Sequence, residues 1–250
     1  RWSESDGSDG YIENSHFAIG LYFDRNERLI SCEHTTRRLV RYRTVDRPSD
    51  PPEILANRYK GHVLNSPNDV VVRASDGEVF FTDPPFGVRE EEGELIGYQH
   101  AMEYNGCAVF RVTHDPAAPE PVTTRIYRPN GLCFSADEGR LYVSDSSETY
   151  HRVYVLPVSG GKVRDEPALV TEIDSGVPDG MRVDEQERLY VSTLEGVQVF
   201  SPEGHKIGLI PVPEMVTNIC FGGLDRNVLY ITATSSLYRI ELNTKGVQKP

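Results

Sequence analysis

Apolar and polar residues alternate through most of the chain in short runs, and the runs come in pairs. Five stretches share one layout of apolar run, polar turn and second apolar run: AIGLYFDRNERLISCEH, NDVVVRASDGEVFFTDP, NGLCFSADEGRLYVSDS, DGMRVDEQERLYVSTLE and NICFGGLDRNVLYITAT. Period-two alternation bounded by Asp, Asn and Gly turns predicts β-hairpins. The second runs begin at Leu29, Val79, Leu141, Leu189 and Leu229, spacings of 50, 62, 48 and 40 residues. That is the range of four-stranded propeller blades. A third strand-like stretch follows each hairpin (RRLVRYR, CAVFRV, RVYVLPV, GVQVF, SLYRIEL), and only REEEGELIGYQHAMEY has room for a turn or two of helix. Arg1-Trp2 reads as the end of a third strand with the rest of a blade behind it. The expectation is an all-β chain, residues 1–250 forming a single six-bladed β-propeller domain whose first blade is incomplete in this chain.

One polar position keeps register with the repeat. Asn68, Asn130 and Asn218 each stand eleven residues before a second run, and Asp179 stands ten before Leu189, across a turn shorter by one. The first visible repeat breaks the pattern with Ile19. In a propeller the innermost strand of every blade starts at the same face and lines the central channel, so these residues converge on the axis. Asp83 and Asp145, which follow second strands, are expected to emerge at that face. A single Asn at a bend is an ordinary turn residue; three Asn and one Asp in successive blades point to a ring of oxygens. Such a ring suits a hard cation, calcium before zinc, which favours His and Cys.

Composition narrows the partners. The formal net charge is −12, which argues against nucleic acid, since phosphate binding needs clustered Lys and Arg. Apolar residues make up 38 %, with 13 Tyr and 9 Phe to fill a core. No apolar run approaches the ~20 residues that span a bilayer, so no membrane helix is expected. Cys32, Cys107, Cys133 and Cys220 sit singly in strand-like stretches and read as buried thiols. With no sequon and no signal peptide, a cytosolic (cytoplasmic) location is expected; oligomeric state is left open.

LNSPNDVVV with FFTDPPFG, RPNGLCFSADEGRLYVSDS, VPDGMRVDEQERLYVS, and VTNICFGG with LYIT resemble, in order and spacing, the SMP-30/gluconolactonase/luciferin-regenerating-enzyme-like family. The resemblance implies a six-bladed propeller with one catalytic divalent metal in the channel, usually Ca2+ (Zn2+, Mg2+ or Mn2+ being alternatives), and hydrolysis of small-molecule sugar lactones. It implies that Asn130 and Asp179 are metal ligands and that Asn68 lies at the substrate and metal-water shell. Some family branches carry Arg just ahead of that Asn; Ser66 stands there in this chain. The family's further ligand, a Glu in an E-G-P motif of the first blade, is absent from the sequence, and the match of Arg1-Trp2 to a family stretch after that motif places it upstream.

Lactone hydrolysis develops charge on the carbonyl oxygen, which a divalent metal stabilises as a Lewis acid. Asp179 is then both ligand and proton acceptor. His34, just after a second strand, is a candidate to touch substrate, and Asp145, Asp83 and Asn218 are candidates for the surrounding shell. No G-x-S-x-G elbow supports serine chemistry, and DGSDG at Asp6–Gly10 reads as a turn. The stretch from Pro84 to Tyr104 is long enough to fold over the channel as a lid. Alternatives are organophosphate or other ester hydrolysis on the same site, a calcium-bound propeller without turnover, and a propeller that presents its rim to a protein.

Overall fold

The structure, a computed structural model, describes residues 2–3, 7–8, 10, 12–43, 50–91, 94–97 and 101–247. Among them there is no helix, hence none long and apolar enough to cross a membrane. Each of the five sequence repeats is the inner half of an antiparallel sheet. The first described blade holds Ala18–Phe23, Leu29–Glu33, Arg38–Arg41 and Glu53–Ala56. The second holds Val70–Val72, Val79–Asp83, Ala108–Arg111 and Glu120–Thr123, and the third Pro129–Phe134, Arg140–Ser146, His151–Ser159 and Ala168–Glu172. The fourth runs Met181–Val183, Leu189–Thr193, Gly196–Phe200 and Lys206–Pro211; the fifth has three strands, Val216–Gly222, Val228–Ala233 and Leu237–Glu241. The innermost strands contact one another in chain order. The result is a radial array of five blades.

Blade packing explains the apolar runs. Val79–Asp83 and Leu189–Thr193 are buried at every position because a second strand is covered on both faces by neighbouring blades. Leu29–Glu33 is buried throughout as well, with Leu29 packed against Val40, Tyr42 and Ile12 rather than a further blade. Alternate residues therefore join different cores. Phe81 packs with Ile30, Cys32 and Leu39 of the blade before it, while Phe80 packs with Leu132, Leu141 and Val143 of the blade after it. Cys133 and Tyr142 meet Met181 and Val191, and Tyr190 and Val197 meet Val216 and Leu229. Each buried Phe, Leu or Val contributes about 1.5–3 kcal/mol relative to exposure. The two end faces differ. Ile19, Leu21 and Phe23 on the first described blade are exposed, as are Leu237 and Ile240 on the last.

Glycines let the inner strands close on the axis. A Cβ at Gly131 would overlap the Asp179 carbonyl oxygen and lie 2.9 Å from the Gly180 Cα, and one at Gly180 would overlap the Asn218 side chain. The N-G and D-G pairs of the repeat thus combine an axial polar group with room for the next blade.

Three expectations are corrected. The stretch read as a possible helix holds instead a hairpin, Val88–Glu91 paired with Glu94–Gly97, whose ladder satisfies the backbone in place of helical hydrogen bonds; residues 98–100 lie outside the described ones. Cys32, Cys107 and Cys133 are buried free thiols, but Cys220 is exposed, being on the last described blade. Gly7–Ser8 of the DGSDG stretch pairs with Trp2–Ser3 as a short hairpin; Arg1, Asp6 and Asp9 lie outside the described residues.

Candidate active site

The heads of the innermost strands are irregular where they carry axial residues. Pairing shifts register between Pro129 and Leu132, around Asn130, and between Val216 and Asn218. Such irregularities re-aim a side chain out of the ladder. Asn68 and Asn130 meet directly: the Asn68 amide nitrogen donates to Asn130 Oδ1 at 2.7 Å. Asn130 Nδ2 donates in turn to Ser146 Oγ at 3.0 Å, and that hydroxyl donates to the Pro178 carbonyl. Asn130 is also hydrogen-bonded to the Asp179 side chain. Three of the four residues read as in register therefore form one cluster. Asn218 does not share their position: strand pairing gives that place to Thr217, and Asn218 stands level with Gly180, its Oδ1 accepting from the Ile219 amide of its own strand at 2.8 Å.

Asp179 carries an unusual carboxyl. It is half-buried at the head of the fourth blade's inner strand, yet protein surrounds the group. Burial, and then the Asp69 carboxylate, push it up to about 8, against the pull of hydrogen bonds from Asn130 and the Gly180 amide.

Asp83 and Asp145 are placed differently from the axial cluster. Both are buried, and each holds the loop that leads into its own blade. Asp83 accepts from the Asn65 amide at 2.8 Å and from the Tyr104 hydroxyl, and burial raises its carboxyl to about 6. Asp145 accepts from the Arg128 amide at 3.0 Å and the Ser147 amide at 3.1 Å. Ser146, one residue on, faces Asn130 instead. Successive strand residues point to opposite faces, which explains the exchange.

His34 has the same register as Ser146, five residues after the start of its second strand. Its ring stacks on Phe17 at 6.0 Å between centroids, and a Cβ at Gly87 would come within 2.8 Å of its Nδ1 and 2.9 Å of the Ser66 Cβ. The ring is buried, which lowers its titration to about 4, so it is neutral at physiological pH. Its Nε2 is enclosed and without a hydrogen-bond partner. Ser66, where some family branches carry Arg, is engaged by the Pro84 carbonyl and the Gly87 amide. Tyr104 and Glu103, at the far end of the stretch read as a lid, are tied back to Asp83 and to the Val63 amide.

Ser146, Asp69 and Glu33 escaped the sequence reading. Glu33 shares the register of Asp83 and Asp145, is fully buried, and accepts from Arg38 at 2.7 Å and from the Thr36 hydroxyl. The four-residue offset from Leu29 would have found it.

The donors at the axis are oxygens: the Asn130 amide, the Asp179 carboxylate and, beside them, Asn68. Among the described residues no group of three or more His, Cys, Asp or Glu comes together. One carboxylate with neutral amide oxygens fits a hard cation such as calcium better than a soft one.

A radial array of antiparallel blades whose inner strands meet in chain order is the architecture of a β-propeller. The chain belongs to the SMP-30/Gluconolactonase/LRE-like family, whose model matches residues 1–235. It is 32% identical over 212 residues to a gluconolactonase of Zymomonas mobilis subsp. mobilis, covering 81% of this chain and 57% of that protein. It is 28% identical over 177 residues to a pentonolactonase of Haloferax volcanii, covering 69% of this chain and 59% of that one. The chain thus spans somewhat under three-fifths of the length of these curated relatives. A solved gluconolactonase from Xanthomonas campestris superposes with a TM-score of 0.85 at 32% identity, over 96% of this chain and 77% of its own.

Proposed function

We propose that this chain is the greater part of a divalent-metal-dependent hydrolase of sugar lactones, with calcium as its metal. The observation that carries the reading is the Asn68–Asn130–Asp179 cluster at the heads of the inner strands, whose one carboxyl is raised to about 8 by burial and by the Asp69 carboxylate. The lactonases among the relatives supply the substrate class. Asn130 and Asp179 would hold the ion, which when bound supplies Lewis-acid polarisation of the lactone carbonyl. Asn68 fixes the Asn130 oxygen by donating to it, and that oxygen keeps a second lone pair free. Ser146 holds the other side of the same amide. Asp179 accepts the proton of the attacking water; His34, enclosed and neutral, is placed as a wall of the mouth rather than as the base.

The same reading makes the chain one propeller domain of six blades, with the missing strands supplied upstream and carrying the E-G-P glutamate. The exposed apolar residues on the first and last described blades support it, since such faces are ordinarily covered.

The test is hydrolysis of glucono-1,5-lactone by the full-length protein, followed by acid release. We expect activity with calcium, a loss of at least about 100-fold after chelation, and recovery on adding calcium back. Turnover indifferent to chelator would sink the metal-dependent mechanism, and no turnover of any sugar lactone would sink the substrate class.

A further inference from the structure

The first described blade enters its innermost strand through two residues in a backbone conformation that glycine takes and bulky side chains avoid. His16 and Phe17 have φ of 53° and 56°, the left-handed region, where an aromatic residue is an outlier. Their carbonyls pin them there: that of His16 accepts from the Thr35 amide at 3.1 Å, and that of Phe17 from the His34 amide at 3.2 Å. Conformations of this kind persist where the surroundings hold them, and they gather at ligand clamps. This one holds an aromatic ring in water. Phe17 is 58% exposed, and its ring stacks on the His34 imidazole with 29° between the planes.

His34 is the reverse case. It is buried, and its Nε2 is enclosed without a hydrogen-bond partner, a cost that a native fold carries for a reason. The ring is neutral, so one nitrogen donates and the other accepts. Of Phe17, Gly87 and Ser66 around it, only Phe17 is exposed, so a turn of the Phe17 side chain uncovers the imidazole without disturbing the core. The Ser66 hydroxyl is already engaged on both sides. His34 also stands where the substrate has to pass. It pairs with Phe17 as Ser146 pairs with Arg128, and from that register Ser146 accepts from the Asn130 side chain at 3.0 Å. A flat apolar ring beside one directional polar group suits a sugar ring, which has a C–H face and hydroxyls at its rim. We propose that Phe17 and His34 form the subsite that grips the sugar ring of the lactone, Phe17 packing on its C–H face and the His34 imidazole hydrogen-bonding one hydroxyl. The proposal rests on the sugar-lactone reading of the axial site.

The experiment measures kcat/KM of the full-length protein for glucono-1,5-lactone and its monodeoxy analogues, with the melting temperature of each variant. His34→Phe keeps a ring against Phe17 but removes both nitrogens. It should lower kcat/KM for the parent lactone about tenfold, the scale of one hydrogen bond. One deoxy lactone should lose about as much with the unaltered protein and nothing further with His34→Phe; a merely structural role would weaken all the lactones alike. Phe17→Gly should melt at or above the unaltered temperature, since glycine takes a φ of 56° freely, and should still lose about tenfold in kcat/KM. If His34→Phe does not fold, Phe17→Gly decides. Deoxy lactones that lose equally in both proteins would overturn the subsite while leaving the lactonase standing, as would a Phe17→Gly variant with unchanged turnover or a lowered melting temperature. An unaltered protein that turns over no sugar lactone would overturn that reading and this proposal with it.

Discussion

Asp179→Asn should abolish lactone hydrolysis, by about a thousandfold or more, and should also stabilise the calcium-free protein at alkaline pH. The first effect follows from removing a ligand, a compensating charge and the proton acceptor in one substitution. The second follows from the cost of holding that carboxyl. In the fold it titrates near 8, against an ordinary value of 3.8. Below pH 3.8 both folded and unfolded chains carry the proton, and the fold keeps its full stability. As pH rises through the window up to about 8, the unfolded chain ionises while the folded one does not, and stability is lost progressively. The loss is on the order of 3 kcal/mol at pH 8, short of the whole shift because the group is only half-buried. An amide of the same shape has no such slope and can still accept the Asn130 and Gly180 hydrogen bonds. Melting both proteins in chelator from pH 5 to pH 9 should show a gap that opens toward pH 8. Calcium should raise the melting temperature of the unaltered protein only, by mass action on the folded state. A gap constant with pH would show that Asp179 carries no raised titration in the fold.

The blades and the axial cluster were legible in the sequence for the same reason. Both depend on a fixed offset from an apolar run, and offsets survive in a linear string. Asn68, Asn130 and Asp179 meet as their register required. What the string does not carry is the direction of a side chain at a strand end. Asp145 was expected to emerge at the axial face; it accepts from the Arg128 amide, while the next residue, Ser146, accepts from Asn130. A one-residue step in a pleated strand reverses the face, so a small uncertainty in register becomes a complete exchange of roles. Asn218 shows a second limit. Phe221 stands opposite Leu229 as Val72, Phe134 and Val183 stand opposite Val79, Leu141 and Leu189, so Thr217 rather than Asn218 takes the position of Asn68, Asn130 and Asp179. The string does not show this one-residue step, and the Asn218 oxygen accepts from its own strand's Ile219 amide. Arg182 was hidden because an Arg in an apolar strand has no motif; only the closing of the blades shows that it is buried beside the Tyr22 ring.

Gly131→Ala should cost at least about 3 kcal/mol of stability and separate the cluster, although the change adds a single methyl group outside it. The site has no slack. The new Cβ would overlap the Asp179 carbonyl oxygen and lie 2.9 Å from both the Asp179 carbonyl carbon and the Gly180 Cα. These are backbone atoms, so relief requires moving the inner strand of the third or the fourth blade, and overpacking of this kind costs about 1–3 kcal/mol or more. Moving either strand also parts Asn130 from Asp179, which stand on opposite sides of the contact. A melting temperature lower by about 6–12 °C is expected from the stability term for a chain of this length. Calcium affinity should fall with it, even at temperatures where the variant is fully folded. Gly208→Ala is the control: its nearest neighbour is the Val199 Cβ at 3.9 Å, its φ is not in the left-handed region, and it lies in the outer strand Lys206–Pro211. It should melt at or slightly above the temperature of the unaltered protein, as relief of glycine's unfolded-state entropy allows. If Gly131→Ala behaved like Gly208→Ala in both melting and calcium binding, the close approach of the third and fourth blades would be wrong, and with it the geometry that brings Asn130 and Asp179 together.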